Sequence, residues 1–202
     1  REKGKLMCKF SEDSRQKLGN AVIYIANHTE QLSKTKLLKL LFLMEEYMVK
    51  RYHVPFMGLP FEIWQAGPVA KDIFIDLSDG PFLLKDFVKT EVQKDATYIR
   101  AIKPFCDDEF SDCEMEMMDE IIRKYGKKTA KQLVAEVHKE GSLWFNAAKK
   151  HGLLTAFNKG LCNNSDYTID FSEELSDCAR EDYKESLAIH QTANILKAQE
   201  HV

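Results

Sequence analysis

Between Ser33 and Val69 the chain carries one long helical pattern followed by two proline and glycine punctuation marks, and no other stretch restricts the fold as much. Ser33 stands just before a run with apolar residues at Leu37, Leu38, Leu40, Leu41, Phe42, Met44, Tyr47 and Met48. Charge falls at Lys34, Lys36, Lys39, Glu45, Glu46, Lys50 and Arg51. A hydroxyl cap before such spacing predicts a helix, and its apolar face is broader than a single surface helix needs. The helix is therefore expected at the centre of the core. Pro55 and Gly58 stop it, and Phe61-Glu62-Ile63-Trp64 alternates as a half-buried strand does. Gly67-Pro68 then reads as a turn into a second helix from Val69 to Leu77, because proline lacks the amide that would be unpaired in a first turn anyway.

The flanking segments supply the rest of one domain. At 202 residues and 44% hydrophobic, the chain is long enough to bury a single well-filled core. Ser11-Glu12-Asp13 caps a helix with Leu18, Val22, Ile23 and Ile25 inward, ending near Asn27-His28. Ser78-Asp79-Gly80-Pro81 is a turn, after which Phe82 to Val92 and Thr97 to Lys103 read as a β-hairpin around Gln93-Lys94-Asp95-Ala96. With Phe61 to Trp64 this hairpin is expected to form one small sheet. Ser111-Asp112-Cys113-Glu114 is a capping box that opens a helix to Tyr125, and Gly126 stops it. Thr129 caps a helix with Leu133, Val134 and Val137 inward; a short helix from Trp144 to Lys150 ends at Gly152. Residues 155 to 168 read as a polar loop. A last helix spans Asp177 to Gln199, with Tyr183, Leu187, Ile195 and Leu196 on its apolar side, and reads either as a core element packing on the domain or as a docking or dimerisation element. The fold class is mainly α: a single compact helical domain with a small antiparallel β-hairpin or sheet. Its expected parts are a polar N-terminal arm over residues 1–10, a domain over 11–154, and a C-terminal loop and helix over 155–202.

Several function classes lack their residues. The formal charge is -3, so the chain is no polycation, although its first half is mildly basic and its second mildly acidic. Five cysteines form no C-x-x-C pair and read as reduced thiols of a cytoplasmic protein. No apolar run approaches the roughly 20 residues a membrane-spanning helix requires, and the polar start leads into no signal core. None of the six histidines pairs at metal-site spacing. Glycine-rich phosphate loops and a nucleophile elbow are absent. Glu45 and Glu46 diverge by about 100° around a helix and read as a solvated edge, not an acid–base pair. No catalytic residue, metal or cofactor is expected. His138, close to Trp144, reads either as a partner contact or as a histidine that satisfies backbone groups at a helix end.

Two ordered blocks carry a resemblance. The first is Lys36-Leu37-Leu38-Lys39-Leu40-Leu41-Phe42-Leu43, then Lys50-Arg51-Tyr52, Pro55-Phe56-Met57-Gly58 and Trp64-Gln65-Ala66-Gly67-Pro68-Val69. The second is Tyr125-Gly126, Thr129 to Leu133, and His138 with Trp144. Together they resemble the Panacea, or SocA-like antitoxin, domain. Phe42-Leu43-Met44-Glu45 stands where Tyr-Phe-Ala-Asp is common, and Gly141-Ser142-Leu143 where a proline commonly precedes the tryptophan. The resemblance implies an antitoxin of a type II toxin–antitoxin system, not an enzyme, that neutralises a cognate protein toxin by direct contact. Met and aromatic side chains anchor interfaces. A partner-binding groove is therefore expected from the central helix, the Pro55 to Met57 turn and the Trp64 to Pro68 segment. Its candidate residues are Tyr47, Lys50, Arg51, Tyr52, Phe56, Trp64, Gly67, Pro68, His138 and Trp144, and a homo-oligomer is a further expectation.

The alternative is a regulatory or phage-associated DNA-binding protein. Lys124, Lys127, Lys128 and Lys131 cluster near Gly126, and Lys34, Lys36, Lys39, Lys50 and Arg51 mark the ends of the central helix, so a phosphate-neutralising edge can be drawn. Against it, lysines at helix ends are ordinary solubilising charge, and no recognition helix follows Arg51. Nucleic acid is the less favoured partner.

Overall fold

The computed structural model describes residues 10–94 and 96–199. Of the expected N-terminal arm, only Phe10 lies within the described residues, and Asp95 of the hairpin turn lies outside them. Helix α1 (Glu12–His28) is capped by Ser11, whose hydroxyl accepts from the Ser14 amide, and buries Leu18, Val22, Ile23 and Ile25. Helix α2 (Lys34–Tyr52) is capped by Ser33 through the Lys36 amide and ends at His53 in the left-handed region. Every residue from Lys36 to Glu45 is buried, so α2 is surrounded and not laid on a surface.

After α2 come strands β1 (Glu62–Trp64) and β2 (Gly67–Val69), then the short helix α3 (Lys71–Asp76). This corrects the expectation of Gly67-Pro68 as a turn into a helix from Val69 to Leu77: the helix is shorter, and Gly67 to Val69 is strand. Pro68 pairs with Ile63 in an antiparallel ribbon, and the turn falls at Gln65-Ala66. Ile63 directs its amide to the Tyr167 carbonyl, away from β2, so the position opposite asks Pro68 for no donor. Asp76 is fully buried and accepts from the amides of Phe82 and Leu83, both at 2.8 Å, and Leu84, at 3.2 Å, pinning the descent into the hairpin.

Strands β3 (Val88–Gln93) and β4 (Ala96–Ala101) form that hairpin, with residues 82 to 87 as turns and not strand. The two ribbons are separate two-stranded sheets, not the single sheet expected. β1 is flanked on its free edge by the chain near Tyr167 to Ile169, whereas the β4 side meets the segment around Leu32 and Ser33.

Helix α4 (Asp112–Tyr125) opens with the Ser111–Glu114 capping box and buries Met117, Met118, Ile121 and Tyr125 against α2. Helix α5 (Ala130–Val137) carries a second capping box, Thr129 with Gln132, and buries Leu133 and Val137. Helices α6 (Leu143–Lys150) and α7 (Leu153–Asn158) follow, so the stretch read as loop from 155 begins as helix, with Leu153 and Phe157 buried. A 3-10 turn (Phe171–Glu174) leads into α8 (Asp177–Gln199), which buries only Ala179 and Tyr183. Among the described residues no helix is long and apolar enough to cross a membrane.

Candidate partner-binding site

The two loops that follow α2 are held by charges that α2 itself buries. Glu45, 1% exposed, takes the Phe56 amide at 3.0 Å, the Met57 amide at 2.8 Å and the Gly58 amide at 3.2 Å. The expectation of a solvated Glu45 edge is thus corrected: three backbone donors replace the water it gives up. Burial pushes its carboxyl up to about 7 while the three amides pull the other way. Gly58 closes this turn at φ 63°, and a Cβ there would lie 2.9 Å from the His190 ring of α8.

One and a half turns earlier on α2, Lys39 is 1% exposed and donates to the Pro68 carbonyl at 2.9 Å. No carboxylate pairs with it among the described residues, and burial lowers its amine to about 7. Its stem fills the space beside Gly67, where a Cβ would stand 2.7 Å from Lys39 Cε and 3.1 Å from Val137 Cγ2, at a φ of 98°. Lys36, 4% exposed, donates to the Gly126 carbonyl at 2.7 Å. Lys36 and Lys39 therefore lie inside the fold and add nothing to the phosphate edge drawn through them.

These contacts sort the expected partner-binding residues. Phe56, Gly67, Pro68 and Trp144 are buried and build the fold. Trp144 donates its indole N–H to the Trp64 carbonyl at 3.1 Å and stacks on His138, centroids 3.8 Å apart. His138 Nε2 is buried without a hydrogen-bond partner, so through that atom the ring serves no helix end. Burial, and then the charge of Lys39, lowers His138 to about 4, which leaves it neutral at pH 7. Trp64 is half-buried, edge-on to Phe74, with its N–H donated to Glu62.

Tyr47, Lys50, Arg51 and Tyr52 remain at the surface, together, on the last turns of α2. There α2 and α4 frame a groove of about 480 Å³ whose walls include Tyr47, Lys50, Arg51, Glu120, Lys124 and Tyr125. The Tyr47 hydroxyl donates to Glu120 at 2.7 Å. Lys50 bridges Glu46 at 3.1 Å and Glu174 at 2.6 Å. The Arg51 guanidinium lies 5.9 Å from the Tyr47 ring centre and 5.7 Å from that of Tyr52, and Lys124 Nζ lies 5.0 Å from that of Tyr125. The α4 half of this groove was missed at the level of sequence. The helical spacing of α4 is plain in its residues, but no local pattern says which helix lies beside the outer face of α2.

A larger cleft, about 750 Å³, lies between α1, the Met57 to Pro60 loop, α3 and α8. Its lysines are already engaged, Lys17 with Glu114 at 2.5 Å and Lys71 with Glu62 at 3.3 Å. Among the described residues no group of three or more His, Cys, Asp or Glu is disposed to hold a metal ion.

No curated protein and no solved structure matches the chain. A sequence model of the family described as "Antitoxin SocA-like, Panacea domain" matches residues 37–145, more than half of the chain, from the second turn and later of α2 through the beginning of α6. Both loop-holding charges of α2, both motif glycines and the α2–α4 groove fall within that match, and the chain belongs to the SocA-like antitoxin, Panacea domain family.

Proposed function

We propose that this protein is the antitoxin of a type II toxin–antitoxin pair, acting in the cytoplasm by binding its cognate protein toxin directly and without a catalytic step of its own. Membership of a family described as antitoxin SocA-like is the observation that carries this reading. The α2–α4 groove supports it with residue types that anchor protein interfaces: two tyrosines and an arginine on rigid helices, beside the buried contacts that make those helices rigid. The toxin seats on this groove and is held inactive there.

Co-expression with the product of the adjacent gene tests the proposal, scoring growth rescue and co-purification together. Rescue with a stable complex is expected. A neighbour without toxicity, or rescue without any complex, overturns direct neutralisation and returns DNA-binding regulation as the reading to pursue.

A further inference from the structure

The charges of the α2–α4 groove are not all engaged within the molecule. Lys50 is locked between two carboxylates, Glu46 and Glu174. Arg51 and Lys124 make no ion pair among the described residues; each head rests instead beside tyrosine rings, Arg51 with Tyr47 and Tyr52 and Lys124 with Tyr125. The Arg51 Nε also donates to the Tyr52 hydroxyl at 3.3 Å. Glu120 attracts both cations through space, and Glu136 and Glu46 also attract Lys124, but none of the three forms an ion pair with either cation, and Glu120 accepts from Tyr47.

Such a setting orders a cation without neutralising it. A ring face holds a guanidinium in place and leaves its N–H fork open to a carboxylate, which it can grip with two parallel hydrogen bonds. Part of the ordering that a flexible surface side chain undergoes on binding is thus made in advance. The larger cleft offers the contrast, since its Lys17 and Lys71 are already paired.

We infer that the α2–α4 groove is a receptor for an acidic segment of the partner protein, whose carboxylates are taken by Arg51 and Lys124 while its apolar or aromatic side chains pack on Tyr47 and Tyr125. This rests on the antitoxin reading and specifies the surface that reading needs.

The test compares R51E/K124E with K149E/K159E, a pair of exposed lysines outside the groove that changes the net charge equally. The purified adjacent-gene product is titrated into each by calorimetry at low and high salt, with a thermal melt confirming that both variants fold. Binding by R51E/K124E is expected to weaken by on the order of 100-fold at low salt, and by K149E/K159E by about threefold or less. Equal loss in the two variants overturns the inference in favour of unspecific charge attraction. Unchanged binding by R51E/K124E overturns it while leaving the antitoxin reading intact. A wild-type protein that binds no adjacent-gene product removes both. In a parallel arm, a short duplex DNA whose steeply salt-dependent binding requires Arg51 and Lys124 would assign the groove to phosphates and overturn the acidic-segment proposal.

Discussion

On its inner face α2 buries Lys39 and Glu45, and each is spent on backbone: a carbonyl of β2 for the lysine, three amides of the 56–58 turn for the glutamate. On the outer face of the same helix Lys50 is paired with side-chain carboxylates and Arg51 rests on tyrosine rings. One helix thus carries two kinds of charge. Inside, an ionisable group is retained because a backbone group needs it and cannot be served by water; outside, a charge contributes little to folding and is available to another molecule. The family-like motif belongs mostly to the first kind. Pro55 to Gly58 and Gly67 to Val69 read as a recognition signature along the chain, yet in space they are the two segments α2 grips.

The largest expected effect comes from breaking the inner face. Glu45→Ala leaves three amides without their acceptor and should lower unfolding stability by about 4 kcal/mol in a urea titration, with Glu45→Gln losing visibly less because one acceptor oxygen remains. A loss under about 1 kcal/mol for the alanine variant would show that the turn holds itself. Next in size is Gly67→Ala. The positive φ and the close Lys39 and Val137 contacts predict a cost of about 2 kcal/mol, read by the same titration.

Lys39→Met sharpens the comparison through pH. The amine sits near 7 in the folded protein against an ordinary value of 10.5, because burial opposes its charge. Between those values the unfolded chain binds a proton that the folded chain does not, so this group makes stability rise with pH from about 7 toward 10.5. The cost of burying the cation is fully present below 7. Denaturant midpoints of the wild type should therefore climb between pH 7.5 and 9.5, and the Lys39→Met variant should lack that climb; parallel curves would place the lysine's charge elsewhere. The outer face supplies the smallest folding effect. Arg51→Glu should shift stability by no more than about 0.5 kcal/mol in the melt while still reducing growth rescue, a separation that no inner-face substitution can produce.

Much of this architecture was legible before the structure. Ser33, Ser111 and Thr129 announce helix starts because a hydroxyl followed by an apolar run at helical spacing is a local rule, and all three cap as expected. The last helix, Asp177 to Gln199, falls where its periodicity puts it. Pro68 misled because its missing amide suits a first helical turn and an unpaired strand position equally well, and only the partner strand decides between them. Residues 155 to 158 looked polar enough for a loop because Leu153 and Phe157, which hold α7, are too few to set a period. Of the residues that line the α2–α4 groove, Tyr47, Lys50 and Arg51 are among the partner residues expected from the sequence, whereas Glu120 and Tyr125 are not, and Lys124 reads only as part of a basic edge.

By itself the sequence determined a mainly helical domain, the starts of its capped helices and the family to which it belongs, since caps, periodicity and motif order are written along the chain. Only the tertiary structure decided that Glu45, Lys36 and Lys39 are interior groups, that Phe56, Gly67, Pro68 and Trp144 are framework, and that α4 completes the groove beside Tyr47. The physical reason is that charge tolerates burial wherever a distant backbone group supplies the missing hydrogen bond, and the distance between Glu45 and the Met57 amide, or between Lys36 and the Gly126 carbonyl, is set by how the chain returns and not by the residues on either side.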